Sequence, residues 1–110
     1  MQQGEIWFAD LNPAKGSEQA GRRPIVIISG NTLNDALPIV IVVPLTSKVK
    51  SYPTCVLINA NRTNGLKKDA EAVPFQIRTI SKKRLTQCIG HIMPEELREI
   101  VKGLFVAVTH

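Results

Sequence analysis

Two short apolar runs, at positions 6–8 and 25–28, flank a long polar loop that contains glycine. Apolar runs rich in β-branched residues and bounded by Gly and Pro are typical of β-strands. The stretch at positions 4–29 therefore predicts two strands joined by an irregular loop. Because loops held by a rigid scaffold often carry function, the polar side chains of this loop are the first candidates for a site.

The loop gathers a hydroxyl, a carboxylate, an amide and two guanidinium groups: Ser17, Glu18, Gln19, Arg22 and Arg23. Arginine offers five donors in a planar fork whose geometry matches phosphate. The formal net charge of +5 also favours a polyanionic partner. We therefore interpret this loop as a candidate binding site for a phosphodiester, whereas the lysine clusters elsewhere in the chain favour a solvated surface.

Further apolar runs predict short strands at positions 39–43, 54–58, 70–77 and 87–92. The first of these runs is so apolar that it predicts a strand buried on both faces, and Pro44 directly after it predicts a bulge or the edge of the sheet. The stretch at positions 31–37 predicts one helical turn capped by Asn31 or Thr32, and positions 81–85 predict another turn capped by Ser81.

The clearest helix begins at Pro94, where the missing N–H group costs nothing, and Glu95 and Glu96 suit the positive end of the helix dipole. Apolar residues then recur at three- and four-residue steps: Leu97, Ile100, Val101, Leu104, Phe105 and Val108. Such a stripe predicts core or subunit interface. Many short strands and one terminal helix predict a mainly β chain with an antiparallel, strongly curved sheet, in a single domain over residues 1–110.

Length and composition bound the class of protein. A chain of 110 residues with 44% hydrophobic residues fits one small globular domain, and it contains no apolar run near the roughly 20 residues that span a bilayer. The amino terminus lacks the pattern of a secretory signal, so we expect a cytoplasmic protein. Cys55 and Cys88 have no zinc-binding spacing and are expected to be reduced and buried. Aromatic residues make up only 5%, which argues against a broad base-stacking platform.

Three ordered motifs resemble the MazF/PemK/Kid family of toxin endoribonucleases from type II toxin–antitoxin modules. The first is Gly-x-Ile-Trp with Asn-Pro-x-x-Gly-Ser-Glu-Gln and Arg-Arg-Pro, the second is Val-Pro-Leu-Thr at 43–46, and the third is Phe-Gln-Ile-Arg-Thr-Ile at 75–80. The matching pieces extend from about residue 4 to about residue 85. The resemblance implies an SH3-like barrel of the PemK/CcdB type, a homodimer, a MazE-like antitoxin as partner, and no cofactor.

The resemblance also implies roles for individual residues. Arg23 and Thr46 match the catalytic pair of the family, with single-stranded RNA, mainly mRNA, as substrate. Ser17, Gln19, Arg22, Gln76 and Arg78 match the substrate side. Glu18 is a candidate general base or orienter of Arg23, and a surface salt bridge to Arg22 is the alternative. Family members commonly carry Glu before the matching Gln, whereas this chain has Phe75, which either changes base preference or packs in the core.

A reaction that uses the 2′-hydroxyl of RNA as nucleophile needs no metal. The acidic residues Asp10, Glu18 and Asp35, which could be metal ligands, are scattered along the sequence. We therefore expect metal-independent cleavage that leaves 2′,3′-cyclic phosphate and 5′-hydroxyl ends, with no part for His91 or His110. Two alternatives from other classes remain: a CcdB-like, non-enzymatic inhibitor of DNA gyrase, and a plain SH3-like binding module.

Overall fold

A computed structural model describes residues 1–12 and 21–110. The predictions at Ser17, Glu18 and Gln19 therefore lie outside the described residues. Along the chain the elements are β1 (Glu5–Asp10), β2 (Arg22–Ile27), α1 (Asn31–Ala36), β3 (Ile39–Thr46), β4 (Val56–Ile58), β5 (Ala70–Ala72), β6 (Arg78–Ser81), β7 (Leu85–His91) and α2 (Pro94–Thr109). Two short 3₁₀ turns, Pro74–Gln76 and Lys82–Arg84, precede β6 and β7.

β3 is the centre of an antiparallel sheet in which the strands follow the order β4-β5-β3-β2-β1-β7, with β6 also paired to β3. One edge of β3 pairs with β2 through residues 42–44. The other edge pairs first with β6, through residues 39–42, and then with β5, through residues 45–46. Among the described strands, β4 and β7 remain the two ends of this path, so the finer prediction of an SH3-like barrel stays a prediction.

Alternate residues of the central strands enter two separate apolar clusters. The helix-side cluster includes Ile6, Val26, Val43, Leu45, Ile58 and Ile100. The opposite-face cluster includes Ala9, Ile25, Ile27, Val40, Val42, Ile80 and Leu85. Because successive side chains point to opposite faces of a strand, β2 and β3 are buried on both faces. For β3 this confirms the prediction from its apolar run.

Pro44 lies inside β3, opposite Ile25, and not at the end of the strand. Its carbonyl accepts a hydrogen bond of 3.1 Å from the Val73 N–H, so the position of its missing N–H faces the same edge. Along that edge of β3, the pairing with β6 ends at Val42 and the pairing with β5 begins at Leu45. The missing donor is tolerated because it falls at the change of partner strand.

The predicted strand at positions 70–77 is wrong in its second half. It ends at Ala72, and the chain turns through Pro74–Gln76 because proline has no N–H to donate and fixes its own φ angle. The strand predicted at 54–58 begins only at Val56, after Thr54 with a φ of 71°. The Ser81 cap is confirmed, since its hydroxyl accepts from the Lys83 N–H at 3.2 Å.

The remaining local predictions are confirmed in some parts and wrong in others. The helical turn at 31–37 is confirmed as α1, but Gly30 occupies the cap position, and the Asn31 side chain instead accepts from the Gln3 N–H at 2.7 Å. α2 begins at Pro94 as predicted, and the Glu96 carboxylate accepts from the Met93 N–H at 2.8 Å. Both cysteines are free thiols, but the predicted burial is wrong for Cys88, which is exposed, and incomplete for Cys55.

Only part of the apolar stripe of α2 enters the core. Ile100 is buried, Leu97 packs against the helix-side cluster, and Val101, Phe105 and Val108 are exposed. The exposed half of the stripe does not pack in the core, so for these residues the alternative prediction of a subunit interface stays a prediction.

No helix in the described part of the chain is long and apolar enough to cross a membrane.

Gly103 brings the backbone of α2 directly against the Thr54 carbonyl, because a β-carbon at this position would overlap that oxygen. We expect Gly103→Ala to lower the free energy of unfolding by about 1–3 kcal/mol, the usual cost of overpacking against groups that cannot move aside. The measurement is urea unfolding. The matched control is Gly30→Ala, where a β-carbon meets open space and φ is −66°. Equal unfolding midpoints for the two variants would contradict this packing.

Candidate active site

Three neighbouring strands bring a guanidinium, a hydroxyl and a carboxylate into one cleft. β2 and β3 are paired from Ile25 and Pro44 to Ile27 and Val42, and Arg23 and Thr46 lie two residues beyond the end of this pairing. β3 and β5 pair Thr46 directly with Glu71. Directly opposed side chains in antiparallel strands have β-carbons about 4.5–5.5 Å apart. Thr46 and Glu71 are therefore direct neighbours on one face of the sheet, and Arg23 lines the same cleft as both of them.

Arg23, Thr46 and Glu71 line a cleft of about 470 Å³, which we call the catalytic cleft. The other residues that line it are Lys48, Lys50, Tyr52, Val73, Phe75 and Gln76. Arg23, Thr46 and Gln76 thus meet in one place, although they come from three distant parts of the sequence. Three cationic side chains in one cleft create a positive field that attracts a polyanion.

Thr46 is nearly buried at the end of β3, and its side-chain oxygen accepts a hydrogen bond of 3.1 Å from the Lys48 N–H. A hydroxyl that accepts one bond still has its own proton to donate. Thr46 therefore orders the start of the β3–β4 loop and retains a donor for an oxygen atom of a ligand in the cleft.

Glu71 is a site residue that the sequence analysis missed. Only 4% of it is exposed, and its two carboxylate oxygens accept from the backbone N–H groups of Lys50, at 3.3 Å, and Ser51, at 3.0 Å. Ser51 has a φ of 54°, in the left-handed region that non-glycine residues rarely adopt. Glu71 therefore fixes the loop that carries Lys48, Lys50 and Tyr52 into the cleft.

A signal for Glu71 is present in the sequence, because it is a lone charge within the apolar run Ala-Glu-Ala-Val at 70–73. A carboxylate is rarely buried without hydrogen-bond partners, so a Glu in such a run indicates a specific role.

Burial and, second to it, the charge of Glu71 raise the pKa of the Cys55 thiol. Although Cys88 is exposed, partial desolvation of its sulfur also raises the pKa of this thiol. Both thiols are therefore protonated at neutral pH and poor nucleophiles, as expected for inert cysteines.

A second groove, of about 510 Å³, shares Arg23 with the catalytic cleft, and we call it the flanking groove. It combines the cationic residues Arg22, Lys67 and Lys68 with an apolar surface that includes Leu45 and Ile89. The Arg22 guanidinium lies 4.4 Å from the centre of the Phe8 ring and donates to the side chains of Thr86 and Gln87, at 3.3 and 3.4 Å. Arg23 lines both cavities, so a chain of phosphates can pass from one to the other across it.

Arg78 lines neither cavity. It lies opposite Val42 on β6, and its guanidinium donates to the Leu11 carbonyl at 3.5 Å. The sequence motif therefore divides, with Gln76 in the catalytic cleft and Arg78 against the backbone that follows β1. His91 and His110 also lie outside the residues that line these two cavities. Within residues 1–12 and 21–110, no three His, Cys, Asp or Glu side chains are grouped closely enough to hold a metal ion.

Comparisons with known proteins identify the family of the chain. Residues 2–107 match the model of a family described as PemK-like, MazF-like toxin of type II toxin-antitoxin system. The chain is 40% identical to endoribonuclease MazF9 of Mycobacterium tuberculosis, in an alignment that covers 94% of this chain and 92% of the relative.

Two solved structures show a similar fold. Crystalline MazF (Form-I) from Deinococcus radiodurans has a TM-score of 0.87 at 22% identity, over 100% of this chain and 97% of that one. An endoribonuclease from a mycobacterial species, in complex with its cognate antitoxin, has a TM-score of 0.80 at 24% identity, over 98% and 94% of the two chains. At these identities the likeness concerns the fold, a mainly antiparallel sheet with a carboxy-terminal helix.

Proposed function

Because the chain belongs to the PemK-like and MazF-like toxins of type II toxin–antitoxin systems, we propose that it is an endoribonuclease that cleaves single-stranded RNA. The observation that carries this proposal is that Arg23 and Thr46 line one basic cleft. An enzyme that stabilises a phosphorane needs preorganised donors aimed at its charged oxygens, and these two side chains supply them. The similarity to endoribonuclease MazF9 supports the same activity.

The proposed reaction uses the 2′-hydroxyl of the RNA as nucleophile. The 2′-oxygen attacks the adjacent phosphorus, the bond to the 5′-oxygen of the next nucleotide breaks, and a 2′,3′-cyclic phosphate and a 5′-hydroxyl result. Arg23 holds the scissile phosphate with two parallel hydrogen bonds, since a guanidinium stays charged at all relevant pH values. Thr46 donates to a non-bridging oxygen, whose negative charge grows in the transition state.

Proton transfer is the second requirement of this reaction. Glu71 is committed to the backbone of the β3–β4 loop through both of its oxygens, so its proposed role is to position Lys48 and Lys50 and not to act as the base. Glu18 remains the proposed base or orienter of Arg23. Arg22 and Gln76 are proposed to bind RNA, together with Ser17, Gln19 and Arg78 from the motif.

The proposal extends to the finer fold and to assembly. An SH3-like barrel and a homodimer belong to it, and the exposed apolar half of α2 supports a contact with a second copy. A MazE-like antitoxin with an acidic, disordered segment fits the cationic cleft and groove by charge. The proposed location is the cytoplasm. The CcdB-like alternative is less well supported, since inhibition of gyrase by binding would not require a hydroxyl and a guanidinium in one cleft.

We expect the purified protein to cleave a long single-stranded RNA in the presence of EDTA, because attack by the 2′-hydroxyl needs only the groups named above. The measurement is end mapping of the fragments, which should carry 2′,3′-cyclic phosphate and 5′-hydroxyl ends. The same sequence annealed into a duplex should resist, since its bases are stacked and its major groove excludes side chains. Strict dependence on magnesium, or 5′-phosphate ends, would overturn the mechanism.

A further inference from the structure

Two of the five aromatic residues of the chain stand together on one wall of the catalytic cleft. Tyr52 is 51% exposed and Phe75 is 48% exposed. Their ring centres are 6.5 Å apart, and the ring planes meet at 49°. Neither ring belongs to the two apolar clusters of the core. Of the two alternatives for Phe75, packing in the core is therefore wrong, and a role in the cleft is left.

The backbone beneath both rings is firmly held. Phe75 is the middle residue of the turn Pro74–Gln76, which is closed by hydrogen bonds of 3.0 Å from the Gln76 N–H to Val73 and from the Ile77 N–H to Pro74. Tyr52 follows Ser51, whose N–H is bound by the buried Glu71 carboxylate. Two exposed rings on anchored backbone are preorganised for binding, because little freedom is lost when a ligand arrives.

The two rings form one aromatic surface. A distance of 6.5 Å between the ring centres and a tilt of 49° are those of an aromatic pair in direct contact, and about half of each side chain remains exposed for a flat ligand. Lys50 adds a cation 5.9 Å from the centre of the Tyr52 ring, and Gln76 lines the same cleft with an amide that suits a base edge. A nucleobase stacked on the exposed surface of this pair, with its phosphate beside the lysine, satisfies all of these groups.

We propose that Tyr52 and Phe75 form a subsite for one unstacked nucleobase of single-stranded RNA, next to the scissile phosphate at Arg23. The proposal rests on the proposed endoribonuclease function and adds where the substrate is recognised. With two rings the subsite holds a single base, which agrees with the low aromatic content of the chain. A base inside a duplex cannot enter, because it is already stacked on both faces.

Abasic substitution tests the subsite. A short RNA that contains the mapped cleavage site is synthesised with an abasic nucleotide at each position on either side of the cut. For the wild-type protein, one of these replacements should lower kcat/KM by about 5- to 150-fold, the value of one base–aromatic stack. In Phe75→Ala this penalty should largely disappear, since the base then has no ring to lose.

Two variants separate the ring from its volume. Phe75→Trp keeps an aromatic face and should retain the abasic penalty, whereas Phe75→Leu keeps an apolar side chain without a π face and should lose most of it. Phe105→Ala removes an even more exposed ring from α2 and should leave the penalty as in the wild type. A 2-aminopurine placed at the sensitive position, in an RNA made uncleavable by a 2′-deoxy sugar at the cut, should be quenched by the wild type and much less by Phe75→Ala.

The outcomes are distinguishable. If the wild type cleaves RNA but no abasic position matters, or if the penalty is the same in Phe75→Ala, the subsite is overturned and the proposed function stands. If the wild type cleaves no single-stranded RNA, the proposed function fails first. A Phe75→Leu protein that keeps the full penalty would show that apolar volume alone is read, and would also overturn the stacking proposal.

Discussion

Replacing Arg23 with Lys is expected to lower the rate of RNA cleavage by about 10- to 1000-fold, the range for loss of one donor to the transition state. Lysine keeps the positive charge but presents one compact ammonium group, so it cannot reproduce the two parallel hydrogen bonds of a guanidinium. Arg23→Ala, which also loses the charge, should be at least as slow. The affinity for RNA should fall much less, because Lys48 and Lys50 line the same cleft and still attract the phosphates in the ground state.

The two quantities can be measured separately. Single-turnover cleavage gives the rate, and binding to an RNA with a 2′-deoxy sugar at the cut gives the affinity without reaction. Arg98→Lys is the matched control, since this arginine is exposed on α2 and pairs with Glu95 at 3.8 Å. Full cleavage by Arg23→Ala would remove this residue from the mechanism. If Arg23→Ala stayed toxic in cells while Phe105→Asp abolished toxicity, a protein-binding inhibitor would be the better explanation.

The sequence predicted those parts of the fold that depend on local periodicity. The double burial of β3 follows from an unbroken apolar run, and the start of α2 follows from Pro94 and the acidic residues after it. The α2 stripe did not reveal which residues face the core, because that depends on how the helix packs. Gly103 permits close backbone contact at one point, and this leaves Phe105 on the outside.

The division between Gln76 and Arg78 shows where reasoning from a motif stops. In one continuous strand these residues, two apart, would point to the same side of the sheet. The 3₁₀ turn at Pro74–Gln76 breaks that alternation before β6 begins at Arg78. Gln76 therefore enters the catalytic cleft, while Arg78 contacts the Leu11 carbonyl. Pro74 was visible in the sequence, but its effect on direction was not.

Glu71 was missed for a different reason. Its importance comes from its position beside Thr46, and this depends on the pairing of β3 with β5, strands that are separated in the sequence by β4 and two loops. Sequence periodicity gives the faces of each strand but not the order of the strands. For the same reason the sequence could not show that Arg23 and Thr46 lie in one cleft. The family resemblance implied a shared catalytic role for these two residues but no geometry.

Glu71→Gln is expected to free the β3–β4 loop while leaving the sheet in place. Each backbone N–H that donates to the carboxylate makes a charge-assisted hydrogen bond, and loss of the charge should cost about 1–3 kcal/mol. Amide hydrogen exchange at Lys50 and Ser51 should then accelerate by about 5- to 150-fold, because these are the two donors that Glu71 binds. Exchange in β2 should change little, since its partners are backbone groups of β1 and β3.

The effect on activity should follow from the loop. Lys48, Lys50 and Tyr52 lose their fixed positions in the cleft, so KM for RNA should rise and kcat should fall less, which distinguishes a positioning residue from a catalytic one. Glu95→Gln makes the same chemical change at an exposed position of α2 and serves as the control. A Glu71→Gln protein with faster exchange but unchanged KM would show that the loop does not bind substrate. Unchanged exchange at Ser51 would show that the carboxylate does not hold the loop, and its burial opposite Thr46 would then point to a direct role in proton transfer.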